Sequence, residues 1–178
     1  MAITNSMNAN LLAPLALLLG LAGCSGLFED DLPPPPCPTV FPVGEAREVT
    51  RFAGQGRDLT DVLFEAQVQD VVLVCAYDDG IVEMDMQVRI IAADGPANQG
   101  REVRITYFVA IATLDRKIVV REEFEIVVPF EGNRTMVVAI DEVSPRIPLP
   151  PGLTGADYVI YVGIALTPAE LLYNQENR

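Results

Sequence analysis

The side chains of this sequence that could do chemistry are carboxylates, because it contains no histidine and only three cysteines. Without histidine the commonest general base and zinc ligand is absent, and Ser–His or Cys–His nucleophile pairs cannot form. Carboxylates cluster at Asp78, Asp79, Glu83 and Asp85. Asp78-Asp79-Gly80 is typical of a hairpin turn, and Glu83 and Asp85 share one face of a strand, which favours solvated side chains over a calcium site or a glycosidase-like acid–base pair. We therefore expect no enzyme, no catalytic residues, no metal and no cofactor.

The overall charge excludes another class of partner. The chain has 25 acidic and 12 basic residues among 178, which gives a formal net charge of -13. This charge repels phosphate backbones, so we expect no nucleic acid partner. The length suits one domain, and the hydrophobic share of 50% suits a globular one.

An apolar run from Leu11 to Ala22 has the length of a signal peptide and is too short to span a bilayer. The run ends in Leu21-Ala22-Gly23-Cys24, which resembles the lipobox of bacterial lipoproteins. That resemblance implies that residues 1–23 are a signal peptide and that Cys24, once acylated, holds the protein on a lipid bilayer. One departure is that residues 1–23 contain no Lys or Arg. The alternative is a buried core helix that ends in a structural cysteine. A wrongly assigned start codon would explain the missing positive charge and would leave the lipobox unchanged.

The membrane in which the lipoprotein is anchored is predicted from the same resemblance. Ser25 follows Cys24 where an Asp would signal retention in the inner membrane of proteobacteria. The resemblance thus favours the outer membrane, with the domain in the periplasm. Residues 24–44 form the predicted tether, since Glu29-Asp30-Asp31 and the prolines 33–36 keep the chain extended.

The two cysteines that lipidation leaves over are Cys37 and Cys75. A chain that is exported to an oxidising compartment normally pairs such cysteines. We expect a disulfide between them, joining the end of the tether to a strand.

Residues 45–178 are predicted to be an all-β domain, because apolar and polar residues alternate along several segments. A phase slip near Gln69 and Asp70 predicts a bulge, and Leu114 to Lys117 predicts a hairpin turn. The expected fold is a single antiparallel β-sandwich of about seven strands with a short C-terminal helix. The predicted strands are Glu48 to Phe52, Val62 to Tyr77, Val82 to Ile90, Val103 to Ile111, Ile118 to Val127, Arg134 to Ile140 and Tyr158 to Leu166.

The segment from Leu149-Pro150-Pro151-Gly152 to Asp157-Tyr158 is similar to a corner of fibronectin type III and immunoglobulin-like domains. That similarity implies an immunoglobulin-like sandwich in which Tyr158 bonds back to the corner backbone. Thr167-Pro168-Ala169-Glu170 has the spacing of a capping box and predicts a helix after the last strand. We expect Leu171, Leu172 and Tyr173 to close this helix over an edge of the sandwich.

The lipobox, tether, cysteine pair and helix start together resemble a group of alpha-proteobacterial lipoproteins of uncharacterised activity. The resemblance implies a membrane-anchored binding or structural accessory module with a protein partner in the envelope. The alternative is a small-ligand-binding periplasmic lipoprotein that uses the Pro145 to Gly155 loop and Tyr158. The charged triplet Arg121-Glu122-Glu123 indicates an edge strand, where a partner strand could pair.

Overall fold

The computed structural model describes residues 34–177, which form nine β-strands and one α-helix. The predicted signal peptide and Cys24 lie outside the described residues. The elements are β1 Thr39–Pro42, β2 Glu48–Phe52, β3 Val62–Asp78, β4 Ile81–Asp94, β5 Glu102–Thr113, β6 Ile118–Pro129, β7 Met136–Val143, β8 Arg146–Pro148, β9 Tyr158–Ile164 and α1 Pro168–Glu176.

The strands form a sandwich of two sheets. The first sheet has the order β1-β9-β5-β6, and the second has the order β2-β3-β4-β7, with β8 also paired to β4. The neighbouring strands are antiparallel except for β1 and β9, which are parallel. The all-β fold with two sheets and a short C-terminal helix is as predicted.

The core lies between the two sheets and follows the period-two patterns of the sequence. Strand β4 buries every second residue, because alternate side chains of a strand point to opposite faces. Strand β5 does the same from the opposite sheet as far as Val109, after which Ala110 to Ala112 are all buried, and Tyr107 at its centre is 0% exposed. The residues of these two strands that pack together in the hydrophobic cluster are Val82, Met84, Met86, Val88, Ile90 and Ala92, and Val103, Ile105, Tyr107, Val109 and Ile111.

Three local features of the predicted strands are confirmed. The β3–β4 hairpin turns at Asp79 and Gly80, whose φ angles of 41° and 78° suit the left-handed turns of tight hairpins. The register between β3 and β4 shifts between Val68 and Asp70, which is the predicted bulge. Strands β5 and β6 form an antiparallel hairpin around Leu114 to Lys117.

The prediction of about seven antiparallel strands is too simple in two places. Strand β1 lies inside the segment assigned to the tether, and Thr39 pairs in parallel with Val159 of β9. Strand β8 lies inside the loop expected between Ser144 and Gly152, and Ile147 pairs with Val82. Both strands have at most four residues and adjoin prolines, so they are too short for an alternating pattern to identify.

The C-terminal helix begins with the predicted capping box. The hydroxyl oxygen of Thr167 accepts from the backbone N–H of Glu170, and Oε2 of Glu170 accepts from the N–H of Thr167. Oε1 of Glu170 also pairs with Arg51 at 2.8 Å. Burial opposes ionisation of Glu170, but the bonds from Arg51 and Thr167 together outweigh it and lower the pKa of the carboxyl. These contacts fix the helix against β2.

The helix contacts the sandwich mainly through Asn174 and Tyr173. Of the three residues expected to make this contact, Leu171, Leu172 and Tyr173, the two leucines are exposed. Leu171 and Leu172 are 37% and 54% exposed. The buried amide of Asn174 donates to the backbone oxygens of Glu45 and Glu48 at 2.9 and 2.7 Å. The ring of Tyr173 meets that of Phe52 edge to face at 5.2 Å.

Cys37 and Cys75 form the predicted disulfide, with 5.8 Å between their Cα atoms. Two residues further along β3, the hydroxyl of Tyr77 donates to the backbone oxygen of Pro36 and accepts from the N–H of Gly155, both at 2.6 Å. The tyrosine that bonds to the corner backbone is therefore Tyr77. Tyr158, the residue that the similarity implied, is only 5% exposed and packs in the core.

Candidate interaction edge

Strand β6 is the terminal strand of the first sheet, as the charged triplet predicts. Hydrogen-bonded pairs alternate along an antiparallel ladder. The N–H of Phe130 bonds to the oxygen of Arg101, so the register turns the even-numbered residues from Val120 onwards towards β5. The odd-numbered residues, Arg121 and Glu123 among them, direct their backbone groups outwards.

Charges protect this β6 edge from pairing. Arg121 and Glu123 form an ion pair at 2.8 Å, and the next outward residue, Glu125, pairs with Arg104 at 3.0 Å. The guanidinium of Arg121 also stacks over the ring of Phe108 at 4.6 Å. Charged side chains on an edge discourage the addition of further strands. Arg121 and Glu123 are thus edge residues whose side chains are engaged within the protein.

Strand β7 is the terminal strand of the second sheet and was not predicted to be an edge. The backbone N–H of Asp94 donates to the oxygen of Thr135 at 2.8 Å, and Ala93 is opposite Met136. By the same alternation, Val137, Ala139 and Asp141 bond to β4. The even-numbered residues of β7 direct their backbone groups away from the sheet.

The side chains at these outward positions are apolar. Met136, Val138 and Ile140 are 62%, 52% and 55% exposed and share the outer face of the second sheet. We call these three residues the β7 stripe. Ile91 and Ala93 of β4 lie beside it, opposite Val138 and Met136. Strand β7 therefore combines an open backbone edge with an exposed apolar face, without a charged residue between Met136 and Ile140.

Other edges within residues 34–177 are covered or short. The amide of Asn174 in α1 bonds to the backbone of Glu48, which covers the edge of β2. The disulfide at Cys75 and the bond from Tyr77 to Pro36 tie the second half of β3 to the segment around β1. Strand β8 has three residues and ends in Pro148, which cannot donate. In the described part of the chain, β7 is thus a terminal strand whose edge from Met136 to Ile140 is uncharged and has no other strand paired with it.

At one end, the open edge of β7 is closed by the side chains of Asp141 and Glu142. Oδ1 of Asp141 accepts from the backbone N–H of Glu142 at 3.1 Å, and Oδ2 accepts from the hydroxyl of Tyr107 at 2.7 Å. The carboxylate of Glu142 accepts from Gln87 on β4 at 3.0 Å. The open backbone therefore spans Met136 to Ile140.

Two of the carboxylates near the β3–β4 turn, Glu83 and Asp85, each contact a neighbouring side chain. Glu83 pairs with Arg146 at 3.0 Å, and Asp85 accepts from the hydroxyl of Ser144 at 2.9 Å. No group of three or more potential metal ligands comes together in residues 34–177. These side chains support the ends of β4 and β8.

A shallow groove of about 360 Å³ lies on the outer face of the second sheet, beside α1. Its lining mixes charged, amide and apolar side chains, including Glu65, Gln67, Ile91 and Tyr173. One end reaches Met136. The groove is therefore continuous with the β7 stripe.

Comparison with known proteins adds no family. No family model and no curated protein match the chain. Among solved structures, the variable domain of the Streptococcus agalactiae AgI/II polypeptide BspA aligns with 68% of this chain and 72% of its own, at 9% identity and a TM-score of 0.18. So low a score carries no inference about fold or function. Within the described residues, no helix is both long and apolar enough to cross a membrane.

Proposed function

We propose that this protein is an envelope lipoprotein without enzymatic activity, whose β-sandwich binds a protein partner by adding a strand at β7. The observation that carries the proposal is the open edge from Met136 to Ile140 with its exposed apolar side chains. In strand addition the backbone bonds supply affinity, and the alternating side chains supply specificity. The β7 stripe offers both on one side of one strand.

The membrane address belongs to the same proposal. Acylated Cys24 would hold the chain on the bilayer, with the outer membrane favoured over the inner, and the acidic, proline-rich residues after it would space the sandwich from the surface. The Cys37–Cys75 disulfide supports an oxidising compartment, because such bonds are rare in the cytosol. The proposed class is a tethered accessory module.

The sandwich is proposed to be immunoglobulin-like. In support, two sheets enclose one core, and the short first strand β1 lies beside the last strand β9.

The interaction is tested with proline at matched outward positions. Val138→Pro removes an N–H that faces away from β4, while Val138→Ala keeps it. Glu123→Pro is the control on β6, since its N–H also faces outwards. Full-length tagged protein is cross-linked in its own membranes and purified, with folding checked by circular dichroism.

We expect a cross-linked, stoichiometric product that Val138→Pro abolishes and that Val138→Ala and Glu123→Pro retain. Loss with Glu123→Pro alone would move the contact to β6. Equal recovery from all folded variants would contradict strand addition at either edge.

A further inference from the structure

The β7 stripe is self-complementary, and from this we infer that its partner is a second copy of this chain. The inference rests on the proposed strand addition at β7 and names its occupant. Two β7 strands would pair antiparallel about a twofold axis through Val138, which joins the second sheets of two molecules into one continuous sheet.

The backbone permits this register. Pairing requires that the outward residues of one strand face outward residues of the other, because only these have free N–H and C=O groups. With Val138 opposite its own copy, Met136 lies opposite Ile140. Each of these residues is outward and exposed on the same face. The three hydrogen-bonded pairs thus align apolar side chains with apolar side chains.

Charge selects this register from its neighbours. Beyond the paired segment, Arg134, which lies two residues before β7 begins at Met136, would come near Glu142 of the other copy, which brings opposite charges together at each end. A shift of the axis to Ala139 would instead place Met136 opposite Glu142, and a shift to Val137 would place Arg134 opposite Ile140. Opposite charges across a strand pair are favourable, whereas both shifts leave a charge against an apolar side chain.

The net charge of -13 does not prevent such a pair. At physiological ionic strength, charges further apart than about 8 Å are largely screened, so the residues at the contact dominate. Between Met136 and Ile140 the contact carries no charge, and its ends carry an attractive pair. A basic partner strand would find no acidic side chain along the open part of β7.

The test is oxidative cross-linking of single cysteines in the full chain, in the membranes of the cells that produce it. In a hydrogen-bonded antiparallel pair the Cα atoms lie about 5.5 Å apart, which is within the range for a disulfide. Val138→Cys should therefore shift to twice the monomer mass on a non-reducing gel. Met136→Cys and Ile140→Cys are matched controls, because each is four residues, about 14 Å along the strand, from its own copy.

The register with Val138 opposite its own copy predicts two further results. Coexpressed Met136→Cys and Ile140→Cys chains with different tags should cross-link to each other, although neither does so alone. In the Val138→Cys background, Arg134→Glu should reduce the dimer band, and adding Glu142→Arg should restore it. Mass mapping of an intact Cys37–Cys75 disulfide in each variant confirms the fold.

The outcomes separate this inference from the proposed function. A Val138→Cys chain that links to a different protein would overturn self-pairing and support strand addition at β7. If the Val138→Cys chain stays monomeric while Val138→Pro still abolishes the cross-linked product, self-pairing would likewise be overturned and strand addition at β7 would be supported. Equal dimer bands for all three single cysteines would indicate random collision and overturn the inference.

Discussion

The hydroxyl of Tyr107 donates a hydrogen bond of 2.7 Å to Oδ2 of Asp141, which joins the centre of the first sheet to the edge strand of the second. Tyr107 is completely buried, and its ring stacks on Phe124 with 5.4 Å between centroids. The other oxygen of Asp141 caps the N–H of Glu142. One carboxylate therefore links the two sheets and ends the open part of β7.

Tyr107→Phe should destabilise the fold. The change keeps the ring but leaves the half-buried carboxylate of Asp141 without its donor, which costs about 1 to 3 kcal/mol. Urea unfolding followed by circular dichroism measures the free energy. Asp141→Asn is the control: its amide oxygen can still accept from the N–H of Glu142 while its NH2 donates to the hydroxyl oxygen of Tyr107, so the loss of stability should be smaller. An unfolding midpoint equal to that of the unsubstituted protein would show that the bond contributes nothing.

Stability should fall at alkaline pH because of the same tyrosine. Burial first, and then the hydrogen bond and negative charge of Asp141, raise the pKa of Tyr107 far above its ordinary value of 10.0. The unfolded chain therefore loses this proton at a lower pH than the folded one, so the stabilising contribution is complete below pH 10 and declines above it. Tyr107→Phe should show a shallower decline in free energy of unfolding between pH 9 and 11. Parallel curves would contradict the assignment.

The disulfide should stabilise the sandwich mainly by restricting the unfolded chain. Cys37 and Cys75 are 38 residues apart, and closing such a loop stabilises by about 3 to 4 kcal/mol in the entropy model. The double variant Cys37→Ala with Cys75→Ala should unfold at a lower urea concentration and be insensitive to reductant. The unsubstituted protein should match it once reduced. Two alkylatable thiols in the native exported protein would show that the bond does not form.

Cys24→Ala tests the proposed anchor, which the described residues do not include. The variant should accumulate as a precursor that retains residues 1–23 and should take up no labelled fatty acid. Normal processing and labelling of this variant would refute lipidation at Cys24. Ser25→Asp provides a separate test of the membrane address, since it should redirect the lipoprotein to the inner membrane without affecting acylation.

Strands and turns were predictable where one face is buried and the other is wet. In β4, Met84 and Met86 alternate with Glu83 and Asp85, so the local pattern alone specifies both the strand and its inner face. The capping box from Thr167 to Glu170 is equally local. Strand β1 was missed because its four residues derive their structure from β9, far away in sequence.

The β7 edge was likewise predictable from the sequence only in part. The run Met136-Val137-Val138-Ala139-Ile140 predicts a strand, and its lack of charge was a signal that the edge was unprotected. Whether such a run is central or terminal depends on which strands pair with it. The charges of Arg121, Glu122 and Glu123 identified the β6 edge. Neighbouring residues of a strand lie on opposite faces, so charges on both faces argue against a covered central strand.

The sequence by itself determined the all-β class, the inner face of the long strands, the capped C-terminal helix and the Cys37–Cys75 pair, because each depends on spacing along the chain or on a count of residues. Only the tertiary structure decided that β7 ends a sheet, that Tyr77 holds the corner expected of Tyr158, and that Tyr107 meets Asp141. Strand order and contacts between sheets join residues tens of positions apart. Packing of the whole core selects them, and no local pattern encodes that choice.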